Sequence, residues 1–186
     1  MKKCEMRRTD KVNSPFSKFI KGEIVRAASE FNVPEEEIVK FHNDPKSNKT
    51  KIVDITISNF SDDYGNVITC KESIKEIDDN TTQITYYKYM LADKSNESEF
   101  FRFDLSDTIP IKYPNAHLNV DFDTYGKDHI TYPKDSDINF WDLTLTKFIR
   151  IVEEYNCTKV NPAKDRGEPY AEIVNLWLEI IPWENP

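Results

Sequence analysis

The sequence contains little glycine, and this shortage excludes several common enzyme classes. Four glycines in 186 residues leave no Gly-x-Gly-x-x-Gly turn and no phosphate loop ending in Gly-Lys-Ser/Thr. The Gly-x-Ser-x-Gly and His-Glu-x-x-His motifs are absent as well. We therefore expect neither a nucleotide-cofactor enzyme, nor a serine hydrolase, nor a zinc enzyme, and we expect no cofactor.

Cysteine and long apolar runs are also scarce. Cys4, Cys70 and Cys157 are far apart and form no Cys-x-x-Cys pair, which is typical of reduced thiols rather than of a disulfide framework or a zinc site. No window approaches the roughly 18 apolar residues that a membrane span needs. No apolar segment follows the N-terminal basic residues, as a secretory signal would require. These absences predict a cytoplasmic protein without membrane association.

The net charge of the chain limits the kinds of partner that its surface can attract. The formal net charge of −8 means that the surface as a whole does not attract a phosphate backbone, so RNA would need a local basic patch. Residues 1–13 include a cluster of lysines and arginines, which we interpret as a flexible basic arm or as an arm that contacts nucleic acid or an acidic partner. The length and the apolar content of 38% favour one domain over residues 1–186.

Three segments have the period of a helix, and they are residues 14–31, 32–42 and 136–155. Residues 171–181 are ambiguous by period, and their length and the preceding Pro169 favour a last helix. Ser14 before a proline is a candidate cap for the first, and Ser136 or Asp137 for the third. In the second, Ile38 and Phe41 would face inward.

Between these segments the period changes to two, which is typical of half-buried strands. The runs are IVDITISNF (52–60), VITCKESIKEI (67–77), TQITYYKYML (82–91), FFRFDL (100–105), HLNVDF (117–122) and DHITYP (128–133). Turn residues between short alternating runs indicate an antiparallel meander. The sequence therefore predicts an α+β fold in which a meander sheet of about six strands is flanked by N-terminal and C-terminal helices.

One face of the last three predicted strands is polar. With Leu118, Val120 and Phe122 on the core side, the alternation of strand side chains places polar residues opposite them. Together the polar positions are Arg102, Asp104, His117, Asn119, Asp121, Asp123 and His129. A sheet with one solvated face produces such a pattern without any function, so a solvated surface is the first interpretation.

Two chemical interpretations stand beside it. A histidine near a carboxylate can act as a general base or acid at neutral pH, and an arginine can stabilise charge on a phosphoryl group. Together they suit metal-independent RNA cleavage, in which a 2′-hydroxyl attacks the adjacent phosphate. A divalent ion held by Asp121, Asp123 and His117 is the other alternative.

The run Tyr86-Tyr87-Lys88-Tyr89 also has two interpretations. Aromatic residues beside a basic one can stack RNA bases. Tyrosine is also a favoured strand residue that packs by its ring. We expect packing.

The order YYKYML, FFRFDL, AHLNVDF, HITYP and FWDLTLTKFIRIVEEY resembles the small prokaryotic TumE-like toxin family over residues 83–156. In the resemblance, Arg102 and Asp104 match an Arg-Asp motif and His117 matches the first residue of a His-x-His pair, whose second position is Asn119 here. His129 can substitute for the missing histidine. The resemblance implies a toxin–antitoxin or phage-defence setting with an antitoxin or defence component as protein partner.

Two functions compete. The first is a toxin-like or defence-associated effector that acts on RNA without a metal, with His117 as general base or acid, Asp121 orienting it and Arg102 contacting phosphate. The second is a non-catalytic acidic protein, such as an antitoxin, a defence accessory subunit or a phage-encoded inhibitor, that binds a basic site on a protein partner.

Overall fold

The computed structural model describes residues 11–12, 16–45, 47–78, 81–95, 98–106, 115–164 and 169–175. The strands are β1 (Lys11–Val12), β2 (Val39–Asp44), β3 (Ser47–Ser61), β4 (Asn66–Asp78), β5 (Thr81–Asp93), β6 (Glu99–Ser106), β7 (Ala116–Asn119) and β8 (His129–Ile130). The helices are α1 (Phe16–Phe31), α2 (Glu35–Ile38), α3 (Phe122–Tyr125), a 3-10 turn at Phe140–Asp142, α4 (Leu145–Thr158) and α5 (Tyr170–Asn175).

The strands form one antiparallel sheet. Strands β2 to β8 lie side by side in the order of the chain, and the short β1 pairs with β5. This order is a meander, and it confirms the predicted α+β class with helices before and after the sheet. Gly65 adopts a φ of 80° in the turn between β3 and β4, a left-handed conformation that glycine takes without strain.

Helices α1 and α4 cover one side of the sheet, which we call the inner face. The alternating apolar residues of β3 to β8 point to this face, and Phe148 of α4 packs against the rings of Tyr89, Phe101 and Phe103. Burial of these aromatic side chains provides much of the apolar area removed from water. The opposite side, the outer face, carries Lys71 and Ser73 of β4, Tyr86 and Lys88 of β5, Arg102 and Asp104 of β6, His117 and Asn119 of β7, and His129 of β8.

The Tyr87 hydroxyl fastens the 3-10 turn to the sheet. It donates a buried 2.6 Å hydrogen bond to the carbonyl oxygen of Phe140. We expect Tyr87→Phe to lower the free energy of unfolding by about 1–3 kcal/mol, because the carbonyl would stay buried without a donor. Urea unfolding measures the change. Tyr64→Phe, at a side chain that is 64% exposed, is the control and should alter stability little; equal stability of the two variants would contradict this account.

The second predicted helix is wrong in its extent. Only one helical turn forms, α2, and the chain continues as the edge strand β2, in which Phe41 is 69% exposed. Pro34 and the glutamates after it do start a helix, but Val39 pairs with Ile55 of β3 and the chain turns extended. Tertiary pairing overrides a helix signal that is only one turn long.

The strands of the last hairpin are also shorter than predicted. β7 ends at Asn119, and Asp121 caps the short helix α3, so Phe122 is exposed rather than in the core. Gly126 ends that helix with a left-handed φ of 69°. β8 retains only two of the six residues of the predicted run DHITYP. The polar alternation therefore holds as far as Asn119 and stops there.

The long C-terminal helix begins later than predicted. Thr144 caps α4 by accepting from the Lys147 amide, so neither Ser136 nor Asp137 is its cap. Within it the apolar stripe is buried as predicted. Four predicted features lie wholly or partly outside the described residues: the Ser14 cap, the residues of the basic arm other than Lys11 and Val12, Cys4, and the last helix beyond Asn175.

Candidate functional site

Adjacent strands bring the predicted polar residues of β6, β7 and β8 together on the outer face. Asp104 lies directly opposite His117, and Arg102 lies opposite Asn119. Asn119 in turn lies opposite His129. Directly opposed side chains are about 5 Å apart at Cβ, so these five residues, the polar cluster, are mutual neighbours.

Asp104 contacts three other residues of the polar cluster. Its Oδ2 atom accepts hydrogen bonds from Arg102 Nε at 3.0 Å and from Asn119 Nδ2 at 2.8 Å. The same oxygen is 3.9 Å from His117 Nε2. Its Oδ1 atom is buried and has no hydrogen-bond partner among the described residues. The carboxylate is thus fixed by two donors and faces the imidazole of His117.

The two histidines touch. Their ring centroids are 4.8 Å apart and the ring planes meet at 67°. Partial burial lowers the pKa of His129 below its usual range, and the neighbouring His117 lowers it further. His129 is therefore mainly neutral at pH 7 and able to accept a proton.

Arg102 is held between two carboxylates. Its Nη1 atom donates to both oxygens of Glu99, at 2.7 and 2.8 Å, while Nε binds Asp104. Burial opposes the charged form, but Asp104 and Glu99 outweigh it and raise the pKa of Arg102. The Nη2 atom bonds to no described residue, so one edge of the guanidinium can still meet an anion.

Asp121 lies apart from the polar cluster. It is exposed at the start of α3, where its side chain accepts a hydrogen bond from the Thr124 amide at 2.8 Å. Hydrogen bonds from Thr124 lower its pKa. Asp121 therefore acts as the cap of α3. The carboxylate that lies near His117 is that of Asp104, not that of Asp121.

Sequence reasoning missed Glu99 and the contacts of Asn119. Glu99 lies one residue before the run FFRFDL and positions Arg102. Asn119, treated as a departure from a histidine pair, donates to both Asp104 and the carbonyl of Arg102 and so ties β7 to β6. The strand alternation indicated that Asn119 shares the polar face, but no pattern indicated its partners.

The divalent-ion alternative at Asp121, Asp123 and His117 gains no support from the geometry. Across the described ranges, no three histidine, cysteine or acidic residues are arranged to hold a metal ion. Nor is any helix in these ranges both long and apolar enough to cross a membrane.

Comparison with known proteins found no matching family model, no matching curated protein and no matching solved structure. Functional assignment therefore depends on the geometry of this chain.

Proposed function

We propose that this protein is a toxin-like or defence-associated effector that cleaves RNA without a metal ion. The observation that carries the proposal is the contact between His117 and His129, beside Asp104 and Arg102. Two imidazoles in contact can divide the roles of proton acceptor and proton donor between them. Cleavage of a phosphodiester by its own 2′-hydroxyl needs both.

In the proposed reaction His129 is the general base. It removes the proton of the 2′-hydroxyl, whose oxygen then bonds to the adjacent phosphorus as the bond from phosphorus to the 5′-oxygen breaks. His117 is the general acid and gives its proton to that leaving 5′-oxygen. Asp104 faces the ring of His117, and Arg102 Nη2 stabilises the charge on the phosphoryl oxygens. The products are a 2′,3′-cyclic phosphate and a 5′-hydroxyl.

The setting is part of the proposal. The resemblance of residues 83–156 to TumE-like toxins supports a cytoplasmic toxin–antitoxin or phage-defence role with a protein partner that restrains the activity. The departure at Asn119 is compatible with this role, because His129 lies directly opposite Asn119 and supplies the second imidazole from β8.

Growth of a bacterial host during induced expression tests the proposal. We expect the wild type to arrest growth and to fragment cellular RNA, and His117→Ala or Arg102→Ala to relieve both effects. His42→Ala is the matched control, because His42 lies on β2 and pairs with Asp54, away from the polar cluster. Fragment ends are identified by their sensitivity to a phosphatase before and after acid opening of the cyclic phosphate.

The control must keep the arrest, and all variants must be expressed in folded form. A harmless wild type, or arrest that persists in folded His117→Ala, would contradict an RNA-cleaving effector built on this cluster.

An acidic groove favours the second function. A groove of about 440 Å³ lies between α1, α4 and the turn after β3, with Phe60, Ile68 and Val152 among its apolar lining. Glu30, Asp62, Asp63 and Glu153 also line it, and no lysine or arginine in the described part of the chain does. Such a groove suits an apolar segment with basic residues from a protein partner. If the wild type is harmless, this non-catalytic role becomes the better supported one.

A further inference from the structure

The outer face continues beyond the polar cluster as a short basic path. Lys71 of β4 lies opposite Lys88 of β5, and Lys88 lies opposite Asp104. Asp104 lies opposite His117, so these four residues form one row across four strands. We propose that this row, with Tyr86 beside it, binds the single-stranded RNA that the polar cluster cleaves; the inference rests on the proposed function and names its substrate-binding surface.

Spacing within the sheet fits a strand of nucleic acid that crosses it. Neighbouring strands are about 4.8 Å apart, which places the backbone of Lys88 about 10 Å and that of Lys71 about 15 Å from the backbone of His117. Both lysine side chains point to the same face as the histidines, because directly opposed residues share a face. A chain with its cleaved phosphate at His117 would therefore pass over both ammonium groups.

Stability explains Lys88 opposite Asp104, but it does not explain Lys88 opposite Lys71. Like charges directly opposite each other in a sheet are destabilising. Neither the Lys71 nor the Lys88 side chain forms an ion pair or a hydrogen bond with any described residue, whereas the Lys75 side chain on the same strand as Lys71 binds Asp44. An unpaired pair of cations on neighbouring strands is a local basic patch, and it attracts phosphates despite the net charge of −8.

Tyr86 adds a surface for stacking. It lies on β5 two residues before Lys88 and opposite Ser73, so its ring is on the outer face and partly exposed. Tyr87 and Tyr89 are fully buried on the inner face, where packing explains them. Base stacking on a sheet aromatic beside cations is a recurrent way to bind single strands without sequence preference.

Binding is tested apart from cleavage with a fluorescent 12-nucleotide RNA of mixed sequence in which every 2′-oxygen is methylated. This probe lacks the attacking hydroxyl and stays intact. We expect wild type to bind it measurably by fluorescence anisotropy at 50 mM salt. Lys71→Ala/Lys88→Ala should weaken binding at least tenfold, and the slope of log affinity against log salt should fall by about 1.4, about 0.7 per lost phosphate contact.

Tyr86→Ala should weaken binding by about 5- to 150-fold, the range for loss of one stacked base, while Tyr86→Phe retains affinity. The matched control is Lys18→Ala/Lys21→Ala, two exposed lysines on α1. Thermal unfolding checks that each variant is folded.

Absence of binding by wild type would overturn the inference, and so would equal losses in the Lys71/Lys88 and Lys18/Lys21 variants. If wild type binds the methylated probe through Lys71, Lys88 and Tyr86 but leaves ordinary RNA intact, the RNA-binding surface is supported and the proposed cleavage is contradicted. If cleavage depends on His117 but not on Lys71, Lys88 or Tyr86, the proposed RNA-binding surface is contradicted and the proposed function is retained.

Discussion

Alanine in place of either His117 or His129 is expected to lower the rate constant for RNA cleavage by about 10²- to 10⁴-fold, the usual contribution of one proton-transfer group. The two rings are in contact. In the proposed reaction one removes the proton of the 2′-hydroxyl and the other protonates the leaving 5′-oxygen of the same phosphodiester. The double variant should lose little more than the worse single variant, because the two groups act as a unit. Single-turnover cleavage of a labelled oligoribonucleotide by purified protein measures these rates.

The pH profile separates the two roles. The base must be neutral, and because partial burial and His117 hold the pKa of His129 below its usual range, the acid-side rise in rate should lie below pH 6.5. His129→Ala should remove this rise, whereas His117→Ala should lower the rate without removing it.

His42→Ala should leave both rate and profile unchanged, since it removes an imidazole from a different strand. A substrate with a single deoxynucleotide at the cleaved position must be resistant, because it has no attacking hydroxyl. Full activity in the folded double variant would refute the assignment and direct attention to a different surface.

The meander could be predicted from the sequence because its strands are long and their turns carry clear signals. Each strand from β3 to β6 alternates polar and apolar residues, and the apolar set faces two amphipathic helices. The failures came where competing signals were short. Residues 33–42 carry a helix start and a strand side by side, and the helix yields after one turn because β3 offers a partner.

For the site, alternation alone placed Arg102, Asp104, His117 and Asn119 on one face, since a two-residue period fixes which side each points to. It also assigned Asp121 to that face, because nothing in the pattern showed that β7 ends two residues earlier. The contact between the histidines depends on the register of β7 and β8, which a sequence read alone does not contain.

A second set of ionisable groups lies in the core, on the inner face of the sheet. Glu23 of α1 and Glu72 of β4 are 4% and 1% exposed. Glu23 accepts hydrogen bonds from the amide and hydroxyl of Thr146, in the first turn of α4. By strict geometry the Glu72 oxygens and the Tyr89 hydroxyl form no hydrogen bond among the described residues. The nearby Tyr89 hydroxyl and Leu145 amide favour the anion less than burial and Glu23 disfavour it. The Glu72 carboxyl therefore has little to stabilise it as an anion.

Burial raises the pKa of Glu72 well above its usual range, and the nearby Glu23 raises it further. Cys70, which is also buried, lies near enough to interact with Glu72, and Lys147 of α4 interacts with Glu23. The folded protein keeps a proton on Glu72 at pH values where the unfolded chain has lost it. The contribution of this proton to the stability of the fold is therefore complete below the unfolded pKa of Glu72 and is lost as pH rises through the folded pKa. One such proton changes the free energy of unfolding by about 1.4 kcal/mol per pH unit.

Glu72→Gln is therefore expected to stabilise the protein relative to wild type, and increasingly so as pH rises from 5 to 8, with a slope of at most about 1.4 kcal/mol per pH unit. Glutamine keeps the shape of the side chain but cannot ionise, so the pH-dependent cost disappears. Urea unfolding of both proteins across this range measures the difference, and subtraction removes contributions that they share, such as that of His129. Glu36→Gln on the exposed turn α2 should give a difference near zero at every pH. A constant offset for Glu72→Gln, without slope, would show that Glu72 is ionised in the folded protein and that Tyr89 or the start of α4 stabilises its charge.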